Sequence, residues 1–218
     1  RMLSDGGHLS LLATTWRKMP TSYVSDFIQE SKEILEAIDQ DQIELMVQTI
    51  VKVKSVGGRL FFAGSGGGAG HSSHAVCDFR KLAGIESYSI TDNVSELTAR
   101  INDESWASSY ANWLKVSRLN SNDCIFVFSV GGGDSEMKIS ENLVGAMDLA
   151  KERGAAIVGI AGRDGGHLAK TADAAVIIPP IISSNITTQT EGFQALIWHL
   201  IVCHPLLESA TPMWESVS

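Results

Sequence analysis

The sequence runs to 218 residues, 44% of them apolar and 19% charged, with a formal net charge of -8 and a pI near 5.2. That composition is globular and excludes wholesale disorder, and the length suits one compact domain that needs no disulfide or metal merely to fold. The acidic balance argues against a nucleic-acid binder, which carries a basic face. It leaves phosphorylated ligands open, because a helix N-terminus or a loop of backbone N–H groups holds a phosphate without a basic surface.

Residues 1–22 carry Gly, Ser and Thr with little periodicity and read as an irregular arm. From Tyr23 the pattern turns helical, with Phe27, Ile34, Leu35 and Ile38 on one stripe. Ile43, Leu45, Met46, Ile50 and Val51 mark a second amphipathic helix, which Gly57-Gly58 ends. Strands and helices then alternate. Strands are expected at 59–63, 86–90, 123–128, 155–160 and 174–178. Helices are expected at 71–82, 135–153 and 187–207, helical segments over 94–116, and a loop and short helix over 162–172. Near-continuous apolar strands separated by helices mean a parallel sheet covered on both faces. The chain therefore reads as one α/β domain over 23–208, a three-layer α/β/α sandwich on a five-stranded parallel sheet, led by a helical hairpin. Residues 209–218 read as a loose tail.

No stretch has the roughly 18 uninterrupted apolar residues of a membrane-spanning helix. The start lacks a basic lead and a persuasive cleavage site, so no signal peptide is read. Cys77, Cys124 and Cys203 are widely spaced, form no Cys-x-x-Cys, and read as reduced thiols of a cytoplasmic protein.

Two glycine loops carry the chemistry. Ala63-Gly-Ser-Gly-Gly-Gly-Ala-Gly70 and Phe128-Ser-Val-Gly-Gly-Gly-Asp-Ser135 each follow a strand and open a helix. Glycine brings backbone N–H groups close to an anion, and the helix dipole favours negative charge there. Ser65, Gly66 and Gly67 in the first loop, with Ser129 and Ser135 in the second, are thus candidate phosphate contacts. A tight turn that binds nothing is the plainer alternative. Neither loop is a P-loop, since no Gly-Lys-Ser/Thr follows, and the spacing of Gly64, Gly66 and Gly70 misses the dinucleotide fingerprint.

His74 and Asp78 lie four apart on one helical face. Glu191 and His199 lie eight apart on the last helix, about 12 Å along its axis. The four make an N/O set for zinc or a similar divalent ion, although a lone helical His is more often structural. His71, His167 and His204 have no partner at ligand spacing and read as loop or capping residues.

Taken together, Gly-Ser-Gly-Gly-Gly-Ala-Gly, His74 with an acid four later, Ser-Val-Gly-Gly-Gly, Gly162-Arg-Asp-Gly-Gly166 and Ala172-Asp173 resemble the SIS (sugar isomerase) domain from about Asp26 to Glu208. Within it the pattern is similar to the phosphoheptose isomerases, which convert D-sedoheptulose 7-phosphate to D-glycero-D-manno-heptose 7-phosphate. The resemblance implies a flavodoxin-like sheet and one zinc or other divalent ion per site. His74, Asp78, Glu191 and His199 would be its ligands. It assigns proton transfer to Asp78 and His199, and substrate contact to Asn102, Asp103 and Glu191. If Asp78 holds the metal its basicity falls, and the proton passes through His199 or a water. Asn102-Asp103 reads equally as a helix N-cap. The family has Glu where this chain has Asp78, Gln where it has Glu191, and a more hydroxyl-rich second loop; here that loop carries Val130, Gly131 and Asp134. A non-catalytic SIS module that binds a sugar phosphate or bridges proteins is the rival reading. Phe27, Leu35, Leu45 and Ile50 offer an assembly surface or pack on the chain's own sheet; the resemblance implies a homotetramer (or homodimer), with no nucleic acid or membrane partner.

Overall fold

The computed structural model describes residues 21–209. The expected arm falls almost wholly outside this range, as do Trp16 and the tail beyond Ser209. Its boundary shifts, because helix α1 already begins at Thr21 and runs to Ala37. Helix α2 spans Gln40–Ser55, started by Asp39, whose carboxylate accepts from the Gln42 N–H at 3.1 Å. The sheet and its coverings follow as β1 (Leu60–Gly64), α3 (Gly67–Lys81), β2 (Ser87–Ser89), α4 (Val94–Asp103), α5 (Trp106–Val116), β3 (Cys124–Phe128), α6 (Glu141–Arg153), β4 (Ala156–Ala161), α7 (Gly166–Thr171), β5 (Ala174–Ile177) and α8 (Ile186–Val202).

All five strands pair in parallel, in the order β2-β1-β3-β4-β5. Strand residues alternate between two cores, as the period of two requires. Phe62, Phe126, Phe128 and Val158 face the side covered by α1, α2, α3 and α8. Phe61, Ala63, Ile125 and Val127 face α5, α6 and α7. The first core is knit by rings, with Phe62 and Phe126 centroids 5.3 Å apart and Phe126 and Phe128 4.8 Å. Each such buried ring is worth roughly 1.5–3 kcal/mol of apolar transfer.

The strand order reverses between β1 and β3, so a crevice opens at their carboxyl ends. Both glycine loops leave the sheet there. Gln194 of α8 fastens that end, donating from Nε2 to the carbonyls of Ser129 and Ile160, each at 3.1 Å. The hairpin is tied in by Glu30, a buried carboxylate that accepts from the Ile182 N–H, Asn185 and Gln189.

Two expectations need correction. The helix expected from Ser135 begins only at Glu141. Residues 134–140 instead form a turn closed by the Asp134–Ile139 bridge, with Lys138 and Ser140 at φ of 56° and 52°, which a right-handed helix does not admit. The helical segments expected over 94–116 are α4 and α5, parted at Glu104-Ser105, where Ser105 caps α5 by accepting from the Ser108 N–H. The last helix stops at Val202, short of 207. Of the four apolar residues offered as an assembly surface, Ile50 is wholly buried in the chain's own core, whereas Leu35 and Leu45 remain exposed.

Candidate active site

Helix α3 brings His74 and Asp78 to one face, and α8 packs beside it with His199. Asp78 Oδ2 lies 3.7 Å from His74 Nε2 and 3.8 Å from His199 Nε2. All three ligand atoms fall within 4.8 Å of one another. Those separations are too long for hydrogen bonds and suit atoms that share one cation at about 2.0–2.2 Å each. Asp78 is buried, and its Oδ2 has no hydrogen-bond partner. A buried carboxylate oxygen without a donor costs free energy, which a bound cation would offset. Two imidazole nitrogens and one carboxylate oxygen form a donor set that fits zinc or a similar divalent ion.

The imidazoles are held from behind. His199 Nδ1 bonds the Ala195 carbonyl at 2.7 Å, which fixes the proton on Nδ1 and turns Nε2 toward Asp78. Trp198, fully buried, stacks on His199 with centroids 3.5 Å apart and meets His74 edge-on at 4.8 Å. His74 and His199 keep exposed edges, so the cluster is open to an incoming ligand.

Glu191 stands apart from the cluster. Its carboxylate lies against Gly67 at the N-terminus of α3, so close that a side chain on Gly67 would come within 2.6 Å of it. Eight residues of helix, about 12 Å of rise, separate it from His199. A carboxylate at that position satisfies the α3 dipole, so the first glycine loop already faces an anion of its own chain. His71, expected in a loop or cap, sits inside α3 facing Glu191. Burial holds its imidazole below the usual range, while Glu191 pulls the other way.

The remaining candidates divide. Ser65 and Ser129 line a cavity of about 320 Å³ between the two glycine loops, with Gly131, Ser140, Arg163 and Thr187. Ser129 Oγ accepts from the Gly132 N–H at 3.0 Å, and Ser65 Oγ from Asn142 Nδ2 at 3.0 Å. Ser135 lies outside that cavity, exposed in the 134–140 turn. Asp134, an unwelcome charge beside a phosphate, is turned away: its Oδ1 accepts from the N–H groups of Glu136 and Met137. Asn102 and Asp103 end α4 rather than cap α5, which corrects the N-cap alternative. They are exposed, with Asn102 Nδ2 donating to Asp103 Oδ1 at 2.6 Å. A larger cavity, about 640 Å³, opens at the opposite end of the sheet and holds none of the candidate residues.

Sequence reasoning missed two residues here. Asn142, wholly buried in α6, holds the Ser65 hydroxyl. Arg163 lines the cavity from the loop after β4. An Asn inside the stretch expected as helix over 135–153 was the available signal for the first, since Asn favours helix starts over interiors; it lies in the first turn of α6. The motif Gly-Arg-Asp-Gly-Gly was the signal for the second.

The SIS domain model matches residues 26–162. The lincomycin biosynthesis protein LmbN of Streptomyces lincolnensis is 30% identical over 201 residues, covering 87% of this chain and 71% of that protein. A probable phosphoheptose isomerase of Thermoplasma volcanium is 30% identical over 168 residues, covering 75% and 82%. Among solved structures, phosphoheptose isomerase GmhA from Neisseria gonorrhoeae superposes with a TM-score of 0.69 at 20% identity, covering 83% of this chain and 94% of that one. At that identity it shows the fold.

Proposed function

Because the chain belongs to the SIS domain family, we propose that it is a phosphosugar aldose–ketose isomerase converting D-sedoheptulose 7-phosphate to D-glycero-D-manno-heptose 7-phosphate. The observation that carries the reading is Asp78, a buried carboxylate oxygen without a donor, set between two imidazole nitrogens. A bridging module has no use for that arrangement. The names of several relatives, including the phosphoheptose isomerase of Aneurinibacillus thermoaerophilus, support the substrate.

The reaction passes through an enediol(ate). A base takes the proton from C1 and returns it at C2, while the hydroxyl proton passes from O1 to O2. Asp78 is the base, since no hydrogen bond occupies Oδ2. His199, with Nδ1–H committed to Ala195, turns Nε2 into the cluster, where that one lone pair serves either an ion or the oxygen-to-oxygen transfer; with an ion held there, a water would carry that proton. A divalent ion, zinc in our reading and one per site, would be held by His74, Asp78 and His199 and would polarise the substrate oxygens. We read Glu191, beside Gly67, as meeting a sugar hydroxyl, and as a further metal ligand only if its side chain leans toward the cluster. Ser65 and Ser129 border the phosphate end, while Gly66 and Gly67, where Glu191 already supplies an anion, border the sugar. From Gly67 to His74 the rise along α3 is about 10 Å, which suits an extended sugar chain rather than a triose. Asn102, Asp103 and Ser135 stay assigned to the substrate on resemblance alone.

We read the assembly as a homotetramer. Tyr23, Val24 and Ile28 leave an apolar face exposed on α1. The three free cysteines support a cytoplasmic protein, and no described helix is long and apolar enough to cross a membrane.

Turnover of sedoheptulose 7-phosphate, followed by NMR with and without a chelator, tests the proposal. Formation of the aldoheptose phosphate that stops on chelation, and is lost in His199→Ala, is the expected result. A folded, metal-loaded protein that leaves the substrate unchanged refutes the heptose assignment. One that also binds no metal makes the non-catalytic module the better account.

A further inference from the structure

The second glycine loop has few hydroxyls, yet its cavity holds a cation. Arg163 is the only ionisable side chain lining the 320 Å³ space that Ser65 and Ser129 border. Among the described residues its guanidinium makes no hydrogen bond and no ion pair. Its backbone sits at φ 54°, in the left-handed region that a non-glycine residue adopts only at a cost. The side chain reaches across the glycine loop, so that its Cδ would lie 3.9 Å from a Cβ added to Gly131.

The loop that carries Arg163 is clamped in place. The His167 N–H donates to the Gly133 carbonyl at 2.8 Å, and the Leu168 N–H to Gly132 at 3.0 Å. A Cβ on Gly132 would meet the Gly165 carbonyl at 1.8 Å, and one on Gly166 the Gly131 carbonyl at 2.3 Å. Backbone approach this close requires glycine on both sides. The carboxylates nearby are already committed: Asp134 to the N–H groups of Glu136 and Met137, and Asp164 to the Gly166 N–H at 3.1 Å. A strained, unpaired arginine on a rigid loop, facing hydroxyls and no acid, has the makings of an anion receptor.

We propose that Arg163 is the residue that grips the substrate's phosphate, supplying by a bidentate guanidinium the hold that hydroxyls would otherwise give at the second glycine loop. This rests on the phosphosugar reading above and deepens it. The guanidinium fork matches phosphate geometry, whereas an ammonium acts as a point charge. The same residue thus discriminates phosphorylated from free sugars.

The test compares the wild type with Arg163→Gln and Arg163→Lys. For sedoheptulose 7-phosphate, KM is expected to rise about 10- to 100-fold in R163Q, the loss of a charge-assisted bidentate pair, with kcat within about threefold. R163K recovers only part of the loss. A KM within about twofold of wild type in R163Q, or a fall in kcat with KM unchanged, overturns the proposal. Should the wild type turn over no heptulose phosphate, the heptose reading falls, and Arg163 is judged by binding alone: broadening of the inorganic phosphate 31P signal by the wild type but not by R163Q supports it, and equal broadening overturns it.

Discussion

Replacing Asp78 with Asn separates function from stability in a way few substitutions do. The carboxylate is buried at 5% exposure, and Oδ2 has no donor. An unsatisfied buried acceptor costs about 1–3 kcal/mol, more when charged. Asn keeps the shape and removes the charge. In chelator the variant is therefore expected to be more stable than the wild type by about 1–3 kcal/mol, a rise in Tm of about 2–12 °C for a chain this size. In excess zinc the order reverses. A ligand at about 1,000 times its Kd adds about 4 kcal/mol to the wild type, and the variant forfeits most of that. Thermal unfolding of both proteins, with chelator and with zinc, gives four midpoints. If D78N is the less stable protein in chelator, Asp78 has a favourable partner in the metal-free fold, and the argument for a cation site loses its main support.

Glu191→Gln should leave metal stoichiometry at the wild-type value, since the carboxylate lies at Gly67 and not in the cluster. It should cost about 0.3–1 kcal/mol through the α3 dipole, read by urea denaturation. Loss of the bound metal in E191Q would return Glu191 to the ligand set. Gly132→Ala forces a side chain at φ 74° into the Gly165 carbonyl, and the urea midpoint should report a loss of about 2–5 kcal/mol. In native protein, iodoacetamide should label the exposed Cys77 and Cys203 but not Cys124, whose thiol burial pushes far above its usual value. Burial first, then the Asp78 carboxylate, raises the Cys203 thiol, so its labelling should quicken as pH rises. In D78N that profile should move to lower pH, because removing a nearby negative charge favours the thiolate. Mass spectrometry of the labelled peptides reads each case.

The parallel sheet was legible because its strands are short apolar runs punctuated by glycine loops, a pattern local enough to survive without tertiary information. His74 and Asp78 were legible for the same reason, four apart on one helix. What joins them to His199 is the packing of α8 beside α3, which no spacing rule encodes. The same packing sets Glu191, nearer the start of α8, against Gly67 of the first glycine loop. Residues 134–140 carry helical composition, yet Asp134 wins the backbone N–H groups of Glu136 and Met137 for a turn, a competition that short polar side chains often win. Arg163 escaped notice because its importance comes from the contact between two loops, the one after β3 and the one after β4, and not from its neighbours in sequence.

The pairing of α3 with α8 also sets an order of events during synthesis. His74 and Asp78 leave the ribosome long before His199, which belongs to the last described helix. Two ligands on one helix face hold a cation poorly; the third arrives only when α8 docks. A cation held by all three would thus be captured only once α8 has docked, and the shorter nascent chain would lack the complete ligand set. A cation that binds only the finished arrangement then acts as a clasp between early and late parts of the chain, drawing the folded population forward by mass action.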